Sequence, residues 1–272
     1  MQPVTVLSIA GSDSGGGAGI QADLRTFAAF GVHGTTVVTA LTAQNTIGVD
    51  AVWNTPVDLV LSQASAVLED FDVRAVKTGM LASPDTVIAV SELARAGQLT
   101  QLVVDPVLVS STGHSLMDEG GVQAYRDALF AFATIVTPNL REAAVLADVD
   151  VRDIKEVEDM MRVAATIFAF GSRYVLVKGG HFSDASSMHV PDVLVGPEGV
   201  SVFDAGLVET LNDHGTGCSL SAAITAGLAL GRNAPDAARD AKSFVLAALN
   251  GARTWQLGKG RGPIDHLGWG CE

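Results

Sequence analysis

The chain has 272 residues, 48% of them hydrophobic and 17% charged, with a formal net charge of −13. That length and apolar share support a substantial folded core and exclude an extended, disordered chain. The acidic balance, with no Lys/Arg cluster, excludes nucleic acid or an anionic membrane as the main partner, yet allows a small anionic ligand held by a few local donors.

Short apolar runs alternate with longer amphipathic ones along the chain. Residues 4–9 read as a strand, followed by a glycine-rich stretch from Gly11 to Gly19 and a helix over 20–30. A strand over 35–41 runs into Thr42-Ala43-Gln44-Asn45. A helix over 57–69 leads to a strand over 73–77, which ends in Thr78-Gly79-Met80. A helix over 84–96, a strand over 102–104 ending in Asp105-Pro106-Val107, and a helix over 120–131 follow. Next come a strand over 135–137 before Pro138-Asn139, helices over 140–147 and 156–169, and a strand over 174–177 that meets Lys178-Gly179-Gly180-His181. Runs over 192–195 and 200–203, joined through Gly196-Pro197-Glu198-Gly199, read as a hairpin at an antiparallel edge. Helices over 218–230 and 235–255 complete the pattern. Apolar strands alternating with helices specify an α/β fold: a doubly wound, mostly parallel sheet with helices on both faces. No Pro/Ser-rich linker divides the chain, so residues 1–272 are expected to form a single domain.

Two cysteines, Cys218 and Cys271, make no disulfide framework and suit reduced thiols in a cytosol. The N-terminus lacks a basic region with an apolar core behind it, and no apolar run reaches the ~18 residues of a membrane helix. A soluble, cytoplasmic protein is expected.

In open α/β sheets ligands bind beyond the carboxyl ends of the strands, and here those ends are polar or glycine-rich. The run Asp213-His214-Gly215-Thr216-Gly217-Cys218 opens a helix, so its backbone N–H groups form a ready anion site. A thiol at 218 in that first turn is expected to have a lowered pKa. The same run also reads as a turn that only starts a buried helix. Lys178 ends an apolar strand, where it meets a phosphate as a point charge or simply faces solvent. Asn139 and Glu142, three apart at a helix start, point to one side. Glu142 and Asp105 would hold Mg²⁺ beside bound phosphates, directly or through water. Alternatively Glu142 caps its helix and Asp105 is a turn residue before proline. Asp23 and Gln44 would hydrogen-bond a polar heterocycle, or are a helix-surface acid and a loop amide.

Other templates fail. There is no Gly-x-x-x-x-Gly-Lys-Ser/Thr, no nucleophile elbow and no histidine pair at metal spacing. The glycines of Gly17-Ala18-Gly19-Ile20-Gln21-Ala22 stand too far past the first strand for a dinucleotide fingerprint.

The residues Ala10–Asp23, Thr42–Asn45, Lys77–Met80, Asp105–Val107, Thr137–Ala143, Val177–His181, His214–Cys218 and Gly258–Pro263 closely resemble, in order, the motifs of hydroxymethylpyrimidine/phosphomethylpyrimidine kinases, of the ribokinase-like group. That resemblance implies ATP- and Mg²⁺-dependent phosphorylation of 4-amino-5-hydroxymethyl-2-methylpyrimidine, then of its monophosphate to the diphosphate, in thiamine biosynthesis. It implies that Gln44 and Asp23 contact the pyrimidine near Gly11, with Met80 and Val107 packing on the ring. Asn139, Glu142 and Lys178 would face the ATP phosphates, and Asp105 and Glu142 the metal. Gly215, Thr216, Gly217 and Cys218 would form the anion hole, and the helix carrying Lys242 would border the adenine. Cys218 stands where the wider group has an aspartate base; it would take the hydroxyl proton or only line the hole. The family suggests a homodimer. A pyridoxal or pyridoxine kinase of the same fold, or a non-catalytic sensor of a thiamine precursor, are the alternatives. The segments 11–19 and 183–188 are candidates for loops that close over substrate.

Overall fold

The computed structural model describes residues 2–108, 116–180 and 189–270. Its centre is an eight-stranded sheet. The strands are β1 (Thr5–Ala10), β2 (His33–Val38), β5 (Val73–Thr78), β6 (Leu102–Val104), β7 (Ile135–Val136), β8 (Val175–Lys178), β9 (Asp192–Gly196) and β10 (Gly199–Phe203). In space they run β10-β9-β8-β7-β6-β5-β1-β2. β2, β1, β5, β6, β7 and β8 are parallel, and β9 and β10 add the expected antiparallel edge.

Strand residues alternate between two cores, because successive side chains leave opposite faces of a sheet. Leu7, Ile9, Val76, Val104, Val136 and Val177 enter one core, against α2 (Val57–Asp70), α3 (Pro84–Arg95), α5 (Leu140–Ala147) and α6 (Val157–Phe168). Val6, Ala75, Val103, Ile135 and Leu176 enter the other, against α1 (Gly19–Ala29), α7 (Thr216–Ala229) and α8 (Ala234–Gly251). Each of the Val, Leu and Ile side chains among them contributes roughly 1.5–3 kcal/mol on full burial. The helix α7 is buried nearly all round, from Ser219 to Leu228, which explains its almost unbroken apolar sequence.

Helix starts follow local chemistry. Ser83 caps α3 through the Thr86 N–H, with Pro84 at the first position, and Asn233 caps α8 through the Asp236 N–H. The short α4 (Gly121–Ala124) continues into a π-helical turn, Tyr125–Leu129, and a 3₁₀ turn, Phe130–Phe132, where one regular helix was expected.

One element escaped the sequence reading. The run over 35–41 is two strands, not one: the chain leaves the main sheet at Thr39 and forms β3 (Ala40–Gln44), paired antiparallel with β4 (Val49–Asn54). Thr39 makes the break. Its N–H bonds to Ala10 O, its hydroxyl to Met80 O at 2.5 Å, and its carbonyl accepts from Thr55. β4 was missed because it is exposed along most of its length and lacks an apolar alternation. Among the described residues, no helix is long and apolar enough to cross a membrane.

Candidate active site

The carboxyl ends of β1, β5, β6, β7 and β8 meet the N-terminus of α7. Gly215 caps that helix with φ +85°, a left-handed conformation that suits glycine. Position 215 has a second reason to be glycine: a Cβ there would lie 1.8 Å from Gly17 O. A Cβ on Gly17 would in turn lie 2.4 Å from His214 Cδ2. The two glycine-rich motifs are therefore interlocked, backbone on backbone.

At the mouth of α7 the N–H groups of Gly215, Gly217 and Cys218 have no backbone acceptor among the described residues. They are the unpaired donors that a helix start presents to an anion. Thr216 serves the turn itself, its hydroxyl donating to Asp213 O at 2.6 Å. The Lys178 ammonium reaches the same mouth; a Cβ on Gly217 would stand 3.2 Å from Nζ. Lys178 Nζ is held at 2.9 Å by Asp105 Oδ1. Asp105 is buried and also accepts from Ser221 Oγ at 3.1 Å and Thr137 Oγ1 at 3.3 Å. Burial works against the charge on Lys178, but Asp105, Glu142 and Cys218 outweigh it and raise its pKa. The amine is a fixed cation.

Asn139 and Glu142 form a reciprocal cap on α5: Glu142 N–H donates to Asn139 Oδ1 at 3.0 Å, and Asn139 N–H to Glu142 Oε2 at 2.8 Å. The capping reading is thus realised. Burial pushes the Glu142 carboxyl up to about 7; Lys178 and the Asn139 and Leu108 N–H groups pull it down, and Asp105 pushes it further up. Among the described residues no group of three or more His, Cys, Asp or Glu forms a metal cage. Two acids flanking one lysine fit a Mg²⁺ that keeps its waters and arrives on phosphates, rather than one caged by protein.

The other half of the site is apolar. Ala40, Met80 and Ala82 form a small buried cluster with Val107 and Leu116 against it. Gly11 borders it, and a Cβ there would lie 2.3 Å from Met80 Cε. Gly11, Met80 and Val107 are thus brought together as expected; Ala40, Ala82 and Leu116 carried no signal, being ordinary core residue types. Gln44, half-buried at the end of β3, lies 3.3 Å from His214 Nε2 through its amide. His214 Nε2 in turn lies 2.9 Å from Asp13 Oδ2. The Asp13 carboxylate also accepts from the Gly15, Gly17 and Ala18 N–H groups at 2.8, 3.0 and 2.8 Å. Burial opposes its charge, yet His214 and these N–H groups prevail and hold it below the ordinary carboxyl value. Asp13 and His214 lie within the sequence motifs, but the distance between them in the sequence hides their buried pairing.

Several expectations need correction. The Cys218 thiol is not acidified: burial, with Asp23 and Asp105, pushes it up to about 11 against the pull of Lys77 and the Gly19 N–H. Asp23 is fully buried; both its oxygens lie 2.8 Å from Lys77 Nζ, and Ser8 Oγ donates to it at 2.6 Å. Its carboxylate holds β5 and β1 behind the pocket. Lys242 is engaged by Asp192 at 2.8 Å and Val190 O at 2.7 Å, so its charge ties α8 to β9. The segment 11–19 is bound inward around Asp13, with Ile20 N–H on Gly11 O, so it is not a loose lid. His181 and the segment 183–188 lie outside the described residues.

The C-terminal motif belongs to the site too. Lys259 and Gly260 N–H groups bond Thr46 Oγ1 at 3.1 Å, and Arg261 N–H bonds Thr46 O, fixing the tip of the β3–β4 hairpin. Arg261 also clasps Asp213, at the entrance to α7, and Gly262 O accepts from His214 N–H.

An open, mostly parallel sheet with a cationic helix mouth beside an apolar cluster at the strand ends suits a small-molecule kinase of the ribokinase-like fold. Solved structures agree: the Staphylococcus aureus pyridoxal kinase in complex with AMP-PCP and pyridoxal superposes with a TM-score of 0.88 at 32% identity, covering 100% of this chain and 96% of that one. The phosphomethylpyrimidine kinase family model matches residues 13–265, and the chain belongs to that family. A hydroxymethylpyrimidine/phosphomethylpyrimidine kinase of Rhizobium meliloti is 46% identical over 263 residues, 96% of each chain. A probable thiamine biosynthetic bifunctional enzyme of Oryza sativa is 44% identical over 96% of this chain and 47% of its own.

Proposed function

We propose that this protein phosphorylates 4-amino-5-hydroxymethyl-2-methylpyrimidine with ATP, and then its monophosphate to the diphosphate, supplying thiamine biosynthesis. The single observation that carries the reading is the joining of two half-sites at α7: an apolar cluster of Gly11, Met80 and Val107 on one side, and Lys178 with N–H groups that lack a backbone acceptor on the other. Among solved structures, the 39% identity to the Clostridium difficile phosphomethylpyrimidine kinase, against 35% and 32% to pyridoxal kinases, supports the pyrimidine as the main substrate, as does the 46% identity to the Rhizobium meliloti enzyme.

Phosphoryl transfer depends mainly on positioning and charge stabilisation. In this reading Lys178 and the Gly215, Gly217 and Cys218 N–H groups hold the charge that develops on the transferring group. Asn139 and Thr216 border the ATP phosphates. Asp105 and Glu142 would hold Mg²⁺ through its waters, and the ion would supply neutralisation of the phosphate charge. Gln44 reads the ring, and Met80 and Val107 pack on its face. Cys218 lines the hole as a neutral thiol. The chain acts as one domain, in the cytoplasm, as a homodimer.

The close superposition on a pyridoxal-bound kinase supports a second, weaker activity on pyridoxal. An ATP-coupled assay with both alcohols, products identified by mass, tests both readings. Pyrimidine mono- and diphosphate are expected. Pyridoxal phosphate alone would move the protein to vitamin B6 salvage, and no product from either would favour a sensor.

A further inference from the structure

The two ends of the Gln44 carboxamide differ chemically, and its neighbours decide which end lies where. As placed, Nε2 stands 3.3 Å from His214 Nε2, and Oε1 stands 3.3 Å from Thr42 Oγ1. A half-turn of the amide exchanges the ends with almost no change in shape, so hydrogen-bond chemistry selects between them. His214 Nε2 lies 2.9 Å from the ionised Asp13 carboxylate. A carboxylate only accepts, so Nε2 bears a proton and cannot accept from an amide N–H. The Thr42 hydroxyl gives its one proton to Ser12 O at 2.8 Å, so toward Gln44 it acts as an acceptor. Thr42 calls for the amide nitrogen and His214 excludes it, so the oxygen faces His214, where it shares the Nε2–H already given to Asp13. The imidazole has no freedom to relax this, because Gly17 packs on its edge and three loop N–H groups hold Asp13.

We propose that Asp13 and His214 are positioning residues that lock the Gln44 amide in this sense, so that the site reads the order of donor and acceptor along the edge of the substrate ring. Beyond Thr42 and His214, the amide retains one N–H and one oxygen lone pair. Together they fit a ring nitrogen beside an exocyclic amine, the edge of a 4-aminopyrimidine. A 4-oxo ring presents a ring N–H beside a carbonyl, the reverse order. The proposal rests on the pyrimidine reading of the site.

The test compares kcat and KM for 4-amino-5-hydroxymethyl-2-methylpyrimidine and its 4-oxo counterpart in the wild type, His214→Leu and His214→Gln. In the wild type the amino ring is preferred. In His214→Leu, KM for the amino ring rises about tenfold to a hundredfold, kcat stays within about threefold, KM for ATP is unchanged, and the preference narrows. His214→Gln, which keeps an N–H donor, restores the preference. An unaltered preference in His214→Leu overturns the proposal, as does an equal loss toward both rings together with ATP. If His214→Leu does not fold, ¹⁵N NMR of the wild-type imidazole decides: a protonated Nε2 supports the lock and a bare Nε2 overturns it. A wild type that phosphorylates no pyrimidine removes the functional reading and this one with it, whereas turnover with an unaltered preference removes this one alone.

Discussion

At the scale of single residues, Cys218 shows how position and environment compete. A helix start favours a thiolate, yet Cys218 is half-buried, and desolvation with Asp23 and Asp105 nearby raises its pKa to about 11. The thiol is therefore neutral at pH 7, which suits a lining group better than a base. Alkylation of Cys218 by iodoacetamide, followed by peptide mass spectrometry, is expected to be slow at neutral pH and to accelerate up to about pH 11. An inflection below pH 8 would restore the acidified thiol. Lys178 is the converse case: buried, yet kept charged by the acids around it. Its position at a strand end was legible because a lysine closing the run Val175-Leu176-Val177 has little place in a core. The fate of Asp23 was not legible. Its partner Lys77 lies 54 residues away on another element, and the helix pattern alone could not distinguish a surface acid from a buried one.

At the scale of elements, the glycine-rich segment after β1 is ordered by one carboxylate. Asp13 gathers the Gly15, Gly17 and Ala18 N–H groups and His214. Hydrogen bonds to a charged group contribute about 1.5–3 kcal/mol each and are not additive, so Asp13→Ala is expected to cost at least about 3 kcal/mol in urea unfolding at pH 7. The pH dependence has a definite sign. The folded carboxyl titrates below its ordinary value of 3.8, so its contribution is complete above that value and disappears as pH falls through the folded one. The stability gap between wild type and Asp13→Ala should narrow in that acid range; a constant gap would show that charge is not what holds the loop. Most helices and parallel strands could be read from apolar periodicity. The β3–β4 hairpin could not, because Thr39 breaks the run through contacts with Ala10, Met80 and Thr55, which are tertiary and leave no local trace.

At the scale of the whole molecule, the Asp23–Lys77 pair joins α1 to the sheet on the α7 and α8 side, with neither side chain exposed. Removing one partner strands the other charge. Asp23→Ala should destabilise the fold by about 3–5 kcal/mol, while joint replacement of Asp23 by Leu and Lys77 by Met should recover most of that, read from urea or thermal unfolding. An equal loss in the double variant would mean that packing, not the ion pair, sets the cost. The interlock of Gly17 with Gly215 has a consequence of another kind. Asp13 and His214 are 201 positions apart, and Arg261, near the end of the chain, clasps the entrance to α7. A ribosome that has released the first two hundred residues has laid down most of the sheet but no pocket. Until the last segments emerge and fold back, the glycine loop has nothing to close against, and the nascent chain has no complete place for either substrate.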